Sequence, residues 1–268
     1  MVQRFLDEGM KVVVADCNRE HLQEVQAALG ASQDLHLVRV DVSDRAQVRA
    51  AAEEAVRVFA KIHVLCNNAG VAGGGDVHDP DFESWDRAIG INLGGVVNGI
   101  KIITPYILSH GEGGHIVNTS SMAAVVPQAA QGLGAYQTAK FAVRGLSESL
   151  RISLAPQGIG VSCLLPGGTR SRIAEEHVKD ETLRPAVRQL VSGWMDPLDV
   201  GARVVDGIRR NAPYILTHSM GFPAEVRELN SLLEESFPHE QPALPQLEEF
   251  ERERRELIKQ ARVLPVKD

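Results

Sequence analysis

Lys11-Val12-Val13-Val14-Ala15-Asp16 is the stretch that decides the fold. Its apolar residues are mostly β-branched and run consecutively, without polar alternation, so it reads as a strand buried on both faces. Further runs share this character: Leu35 to Val40, Ile62-His63-Val64-Leu65-Cys66, His115-Ile116-Val117-Asn118-Thr119 and Val161 to Leu165. Tyr214-Ile215-Leu216-Thr217 closes the series. Segments with helical period separate the strands. Glu20 to Leu29 carries Leu22, Val25 and Leu29 on one face and stops at Gly30. Ser43 is placed to cap a helix running to about Ala60, with Val48, Ala52, Ala55 and Phe59 inward. A helical region from Phe82 to His110 is broken near Pro80 and loosened by Gly90, Gly94 and Gly95, and Leu133 to Pro156 covers a loop and a long helix. Strand and helix in alternation predict an α/β fold, a doubly wound parallel sheet with helices on both faces.

The 268 residues are 44% hydrophobic, enough for a sizeable core. Lys and Arg number 28 against 35 Asp and Glu, a net charge of −7, which argues against a nucleic-acid binder. Aromatics at 4% offer no platform for stacking bases. The apolar runs fall short of a bilayer span, so no membrane helix is expected. Met1 to Glu8 has two acids and no apolar core of the secretory kind. Cys17, Cys66 and Cys163 are isolated, so neither a disulfide framework nor a zinc site is suggested, and a reducing cytoplasm fits. Composition gives one domain over 1–237, then a charged tail over 238–268 that opens with three prolines.

In open α/β sheets ligands bind beyond the carboxyl ends of the strands. The chemistry-bearing residues cluster there: Asp16, Asp41, Asn67-Asn68-Ala69-Gly70, Ser120-Ser121 and Pro166-Gly167-Gly168 each follow one strand run. Singly, each aspartate reads as a helix cap and each glycine pair as a turn. Together, on one sheet edge, they mark a site. Tyr136 and Lys140 stand four apart at the start of a helix and so share a face. An ammonium near a phenol favours the phenolate and lowers its pKa, which makes Tyr136 usable as a general acid or base.

On these residues the chain resembles the short-chain dehydrogenase/reductase family, whose fold is Rossmann-type. The motifs that carry the resemblance are Asn67-Asn68-Ala69-Gly70, Asn92, Ser121, Tyr136 with Lys140, and Pro166-Gly167, in the family's order, over roughly residues 1–220. The resemblance implies a nicotinamide-dependent oxidoreductase that interconverts a secondary alcohol and a ketone. Tyr136 would exchange the proton, Ser121 would hydrogen-bond the same substrate oxygen, Lys140 would hold the ribose of the nicotinamide, and Asn92 would anchor a relay water. On the cofactor side, Asp16 would accept from the adenosine ribose hydroxyls, favouring NAD over NADP, with Arg19 softening that preference. Asp41 and Val42 would flank the adenine. Asn68, Ala69 and Gly70 would pass close to the adenosine ribose, and Thr169 and Ser171 would face the nicotinamide carboxamide. Residues 172–193 stand where the family places its substrate lid, and Met122, Val125, Val126, Trp194 and Met195 are candidate pocket walls. A homodimer or homotetramer, a small-molecule alcohol or ketone, and no nucleic-acid or membrane partner are expected.

Two features depart from the family. Nothing before Asp16 supplies its first strand and Gly-rich phosphate turn, and Val2 to Glu8 resembles the second half of the helix that follows that turn. The expectation is therefore a sheet lacking its first strand. Either Met1 is internal to a longer protein or the chain is a catalytically inactive shortened relative, acting as a binding or oligomer-interaction subunit. Separately, Ser121 and Tyr136 lie 15 positions apart, slightly more than the family's usual spacing, with the extra length in Pro127 to Gly134. This leaves Ser120 as a competitor of Ser121.

Overall fold

A computed structural model describes residues 1–126, 132–173, 175, 178, 181–218, 222–236 and 245–263. Six strands lie where the β-branched runs predict them: β1 (Val12–Asp16), β2 (Leu35–Arg39), β3 (Val64–Asn67), β4 (Gly114–Thr119), β5 (Ile159–Leu165) and β6 (Tyr214–Leu216). All pairings are parallel, and they form two ladders. One joins β1 to β2, with Val14 opposite Leu37. The other has the order β3-β4-β5-β6, with Cys66 opposite Val117 and Val117 opposite Ser162. Among the described residues no strand stands between β1 and β3. The burial follows from this topology. β5, flanked on both sides, is buried along its whole length, whereas β1 leaves Ala15 exposed. One apolar cluster still spans the break: Val12 packs with Val117, Leu164, Val204 and Ile215, and Val14 and Cys66 lie against it.

Helices cover both faces. α1 (Val2–Asp7) drives Phe5 into that cluster and ends before Gly9, whose φ of +74° suits a residue without Cβ. α2 (Arg19–Leu29) is capped by Asn18, which accepts from the Glu20 N–H at 2.8 Å. α3 (Arg45–Phe59) starts one residue later than expected. Asp44 is its cap, accepting from the N–H groups of Ala46 and Gln47, while Ser43 donates to Asp41. The ionised carboxylate accepts two backbone donors at once, which a hydroxyl does less well.

The glycine-loosened region resolves into α4 (Phe82–Ile89), a π-helical stretch over Gly90–Gly94, and α5 (Gly95–Ser109). Together these make one rod of 28 residues, Phe82–Ser109, with a mean hydropathy of 1.3 in its most apolar part. The expectation that no apolar helix reaches bilayer length therefore needs correction, since this rod does so by length and composition. Its apolar side chains are spent on the core: Val96 and Ile100 pack against Val143, Ile102 against Val40 and Val48, and Ile107 against Ile116.

α6 (Gly134–Leu154), α7 (Arg184–Ser192), α8 (Pro197–Arg209), α9 (Phe222–Glu235) and α10 (Pro245–Val263) complete the fold. α10, which lies in the expected charged tail, docks against α6 and buries Ala261. Residues 127–131 of the expected loop insertion over Pro127 to Gly134, parts of the expected lid (174, 176, 177, 179 and 180), and tail residues 238–244 and 264–268 lie outside the described residues.

Candidate active site

The carboxyl ends of β3 and β4, the π-helical stretch and the first turns of α6 converge. Asn92 is fully buried in the π stretch, where one extra residue per turn re-aims side chains. Its amide is locked on both sides by the Val71 backbone: Oδ1 accepts from the Val71 N–H at 3.1 Å, and Nδ2 donates to the Val71 carbonyl at 2.9 Å. Gly70 fits against it so closely that a Cβ there would stand 2.7 Å from Asn92 Oδ1 and 3.4 Å from Lys140 Nζ. Gly70, Asn92 and Lys140 are thus one contact group.

Lys140 is 3% exposed and donates through Nζ to the Thr119 carbonyl at 2.9 Å. Its ammonium also sits 5.5 Å from the centroid of the Tyr136 ring. Burial, which disfavours the charged form, pulls the Lys140 pKa down to about 8. The Tyr136 phenol hydrogen-bonds Ser121. Burial pushes the Tyr136 pKa up, against a smaller downward pull from that bond. The expectation that Lys140 depresses this phenol is therefore not met in the protein by itself. The ammonium lies over the ring face and is tied to the Thr119 carbonyl, while desolvation dominates at the phenol.

The two serines part company. Ser120 is buried and donates to the Lys140 carbonyl at 2.6 Å, which commits it to holding α6. Ser121 accepts from the Ala123 N–H at 3.1 Å and faces Tyr136. Tyr136 is itself positioned by residues whose role the sequence did not suggest. Gly73, Gly74 and Gly75 all adopt positive φ; the Gly73 carbonyl accepts from the Tyr136 N–H at 3.3 Å, and that of Gly75 from the Gly134 N–H at 2.8 Å. A Cβ on Gly74 would fall 2.4 Å from Ala135 Cβ. No local pattern in the sequence shows what this triple-glycine run touches. Behind the site, Asn67 donates to Asn118 at 2.8 Å and Asn118 donates to Ser147 at 3.1 Å, a polar ladder linking β3, β4 and α6. Thr119, whose carbonyl holds Lys140, also donates its hydroxyl to Asn68 at 3.1 Å.

The remaining expected residues lie along the same sheet edge. Asp16 ends β1, and its Oδ1 accepts from the Asn18 N–H at 2.8 Å. Asp41 accepts from both the N–H and the hydroxyl of Ser43. It lines an open cavity of about 440 Å³ with Cys17, Arg39 and Gln47. Val42 is wedged against Gly95, and its carbonyl accepts from Asn98 at 2.9 Å. Asn68 and Ala69 are exposed just beyond β3. After β5, the Pro166 carbonyl accepts from the Met122 N–H, the Gly167 N–H donates to Thr217 Oγ1 at 3.0 Å, and the His218 ring stacks where a Gly167 Cβ would be. Thr169 donates to the Gly167 carbonyl at 3.2 Å and pairs with Met195, while Ser171 is exposed. Of the candidate pocket walls, Met122 and Val125 are core, packed with Cys163 and Leu165. Trp194 covers Gly168.

A nicotinamide dinucleotide fits this edge at both ends. The β1–β2 end offers a carboxylate and a polar cavity. The α6 end offers a glycine cradle that a Cβ would fill, beside a buried lysine. Asp16, Asp41 and Val42 would hold the adenosine half. Asn68 to Gly70 would pass close to the adenosine ribose, and Tyr136, Lys140, Pro166, Gly167, Thr169 and Ser171 would hold the nicotinamide half and its ribose.

The family profile described as short chain dehydrogenase matches residues 1–182. Among curated proteins the chain is 35% identical over 175 residues to the 3beta-hydroxysteroid dehydrogenase 2 of Eggerthella lenta, covering 65% of this chain and 66% of that protein's length. It is 32% identical over 238 residues to the C alpha-dehydrogenase of a Sphingobium species, covering 84% of this chain and 76% of that one. Among solved structures, a short-chain dehydrogenase/reductase of Burkholderia phymatum in complex with NAD superposes with a TM-score of 0.74 at 32% identity, covering 90% of this chain and 93% of that one. The apo form of LigO from Sphingobium gives a TM-score of 0.73 at 33% identity, covering 95% and 90%. Parallel sheets with helices on both faces, the converging Ser121, Tyr136, Lys140 and Asn92, and these matches lead to one conclusion: the chain belongs to the short-chain dehydrogenase family.

Proposed function

We propose that the chain is an oxidoreductase, preferring NAD to NADP, that interconverts a secondary alcohol and a ketone, with Tyr136 as general acid and base. The observation that carries this is the Tyr136 phenol, hydrogen-bonded to Ser121 and overlain by the buried Lys140 ammonium. When bound, the nicotinamide supplies or accepts the hydride. The chain's own residues handle the proton and the geometry. In the reducing direction Tyr136 donates its proton to the carbonyl oxygen, and Ser121 donates a hydrogen bond to the same atom, which orients the carbonyl. Lys140 offsets the charge left on the phenolate, an interaction that gains strength in a dry site. Asn92 anchors a relay water with whatever its two Val71 bonds leave over, a second amide hydrogen and a second lone pair. A like-charge clash between Asp16 and a 2′-phosphate supports the NAD preference. The neighbour solved with NAD supports it also, and the Eggerthella relative is named for a hydroxysteroid, a secondary alcohol.

The test is Tyr136→Phe, read by turnover and by calorimetric titration with NADH and NADPH. Turnover is expected to fall roughly 10²- to 10⁴-fold while NADH affinity stays unchanged and exceeds that for NADPH. Turnover within tenfold of the parent would refute the role of Tyr136. Failure of the folded parent chain to bind either nucleotide would refute the dinucleotide site itself.

A further inference from the structure

The opposite edge of the sheet carries a second cluster. His63 directly precedes β3, His110 caps the end of α5, and Glu112 stands in the turn that enters β4. Glu112 is bracketed by Gly111 and Gly113, with φ of +68° and +86°. That tight turn folds the carboxylate back over the two rings, whose centroids are 4.5 Å apart. Glu112 Oε2 lies 2.8 Å from His63 Nε2 and 4.0 Å from His110 Nδ1. One ligating atom from each residue falls within 4.8 Å of the other two.

The arrangement goes beyond an exposed charge cluster. The His110 side chain is only 5% exposed, and its Nε2 lies 2.9 Å from the Ile62 carbonyl. A carbonyl only accepts, so Nε2 carries the hydrogen and the Nδ1 lone pair points toward Glu112. Among the described residues, that lone pair is engaged only by the Glu112 N–H at 3.2 Å. An imidazole fixed through its distal nitrogen by a backbone carbonyl is how proteins orient and polarise a metal-ligating histidine. The Glu112 carboxylate is held in place by both neighbours, with Oε2 at 2.8 Å from His63 Nε2 and Oε1 paired with the Lys61 ammonium.

We propose that His63, His110 and Glu112 form a three-ligand site for a borderline divalent transition metal such as zinc, with water in the fourth position. Two imidazole nitrogens and one carboxylate oxygen suit such an ion and not calcium or magnesium, which take six or more oxygens. Bonds of about 2.0–2.2 Å in tetrahedral geometry hold ligand atoms a little over 3 Å apart, between the two distances seen here. Lys61 is the internal competitor: its ammonium pairs with Glu112 Oε1 and must yield when a cation arrives. The site ties α5 to the entries of β3 and β4, and it is independent of the oxidoreductase reading, whose residues lie at the other ends of those strands.

The experiment is calorimetric titration of the tag-free chain with zinc, and with cobalt, whose visible absorption reports four-coordinate geometry. One equivalent of zinc is expected to bind more tightly than about 100 μM. His63→Ala and Glu112→Gln, both at exposed positions, should each weaken binding at least tenfold with an unchanged far-ultraviolet circular dichroism spectrum. Lys61→Ala should tighten it several-fold, an effect that a merely structural ion pair would not produce. Weaker or non-stoichiometric binding by the parent, parent-like affinity in either ligand variant, or weaker binding by Lys61→Ala would each overturn the proposal.

Discussion

His115 offers a direct test of how the core beneath the candidate site tolerates acid. The residue is 2% exposed on β4, four positions before Thr119. Its Nε2 lies 2.8 Å from Ser162 Oγ, and Ser162 Oγ in turn donates to the Ala212 carbonyl at 2.5 Å. Ser162 therefore accepts from His115, so Nε2 carries the hydrogen and the buried Nδ1 is without a hydrogen-bond partner among the described atoms. Protonation would place a second N–H in a site with nothing to receive it, near the Arg151 guanidinium. Burial first, and Arg151 second, depress the pKa to about 3 from an ordinary 6.5.

The sign follows from linkage. The folded value lies below the unfolded one, so the unfolded chain binds the extra proton first as pH falls. The neutral ring's stability is present above about pH 6.5 and is lost progressively as pH falls toward 3. Between pH 7 and 5 the unfolded state gains most of that proton and the folded state almost none, a loss of roughly 2 kcal/mol at 1.36 kcal/mol per pH unit. Folded-state values anywhere below about 4 give nearly the same figure, because the folded ring is then neutral at both pH values. His115→Gln keeps a donor for Ser162 and does not titrate. Urea unfolding of both proteins at pH 7 and pH 5 isolates the effect, since the other histidines are common to both. The parent should lose about 2 kcal/mol more than His115→Gln. Equal losses would refute the assignment of a neutral, acid-sensitive ring at this position.

Two further predictions concern the candidate site. Gly70→Ala should lower kcat more than tenfold, because its Cβ would fall 2.7 Å from Asn92 Oδ1 and drive Asn92 off Val71; an unchanged kcat would show that Asn92 need not be held. Carbonyl reduction needs a charged Lys140 and a Tyr136 proton, which burial helps Tyr136 to keep, so its rate should fall as pH rises through about 8 with the loss of the Lys140 charge; a reduction profile flat to about pH 10 would sink the assigned roles.

Much of this molecule was legible in the chain because its signals are local. A run such as Val12-Val13-Val14 is apolar on both faces in any context, so it reads as a parallel strand wherever it lies, although here only Val12 is fully buried because β1 has a neighbour on one side alone. Four-residue spacing puts Tyr136 and Lys140 on one face of any helix. Residues that follow strand ends were bound to share an edge once the strands were parallel. Other features depend on partners distant in sequence, and only the folded structure decided them. The choice between Ser120 and Ser121 rested on which hydroxyl meets the Lys140 carbonyl, a contact made by packing α6 on β4. The direction of the Tyr136 pKa was settled by burial, which no spacing encodes and which here outweighs the pull of Ser121. The roles of Thr119 and Gly73 lie in their carbonyl oxygens, which every residue possesses and no sequence pattern advertises. The same holds for the His63, His110 and Glu112 cluster. Its members come from the lead into one strand, the end of a helix and the turn after it, and only the tertiary packing that sets those three chain ends side by side brings their ligating atoms within reach of one ion.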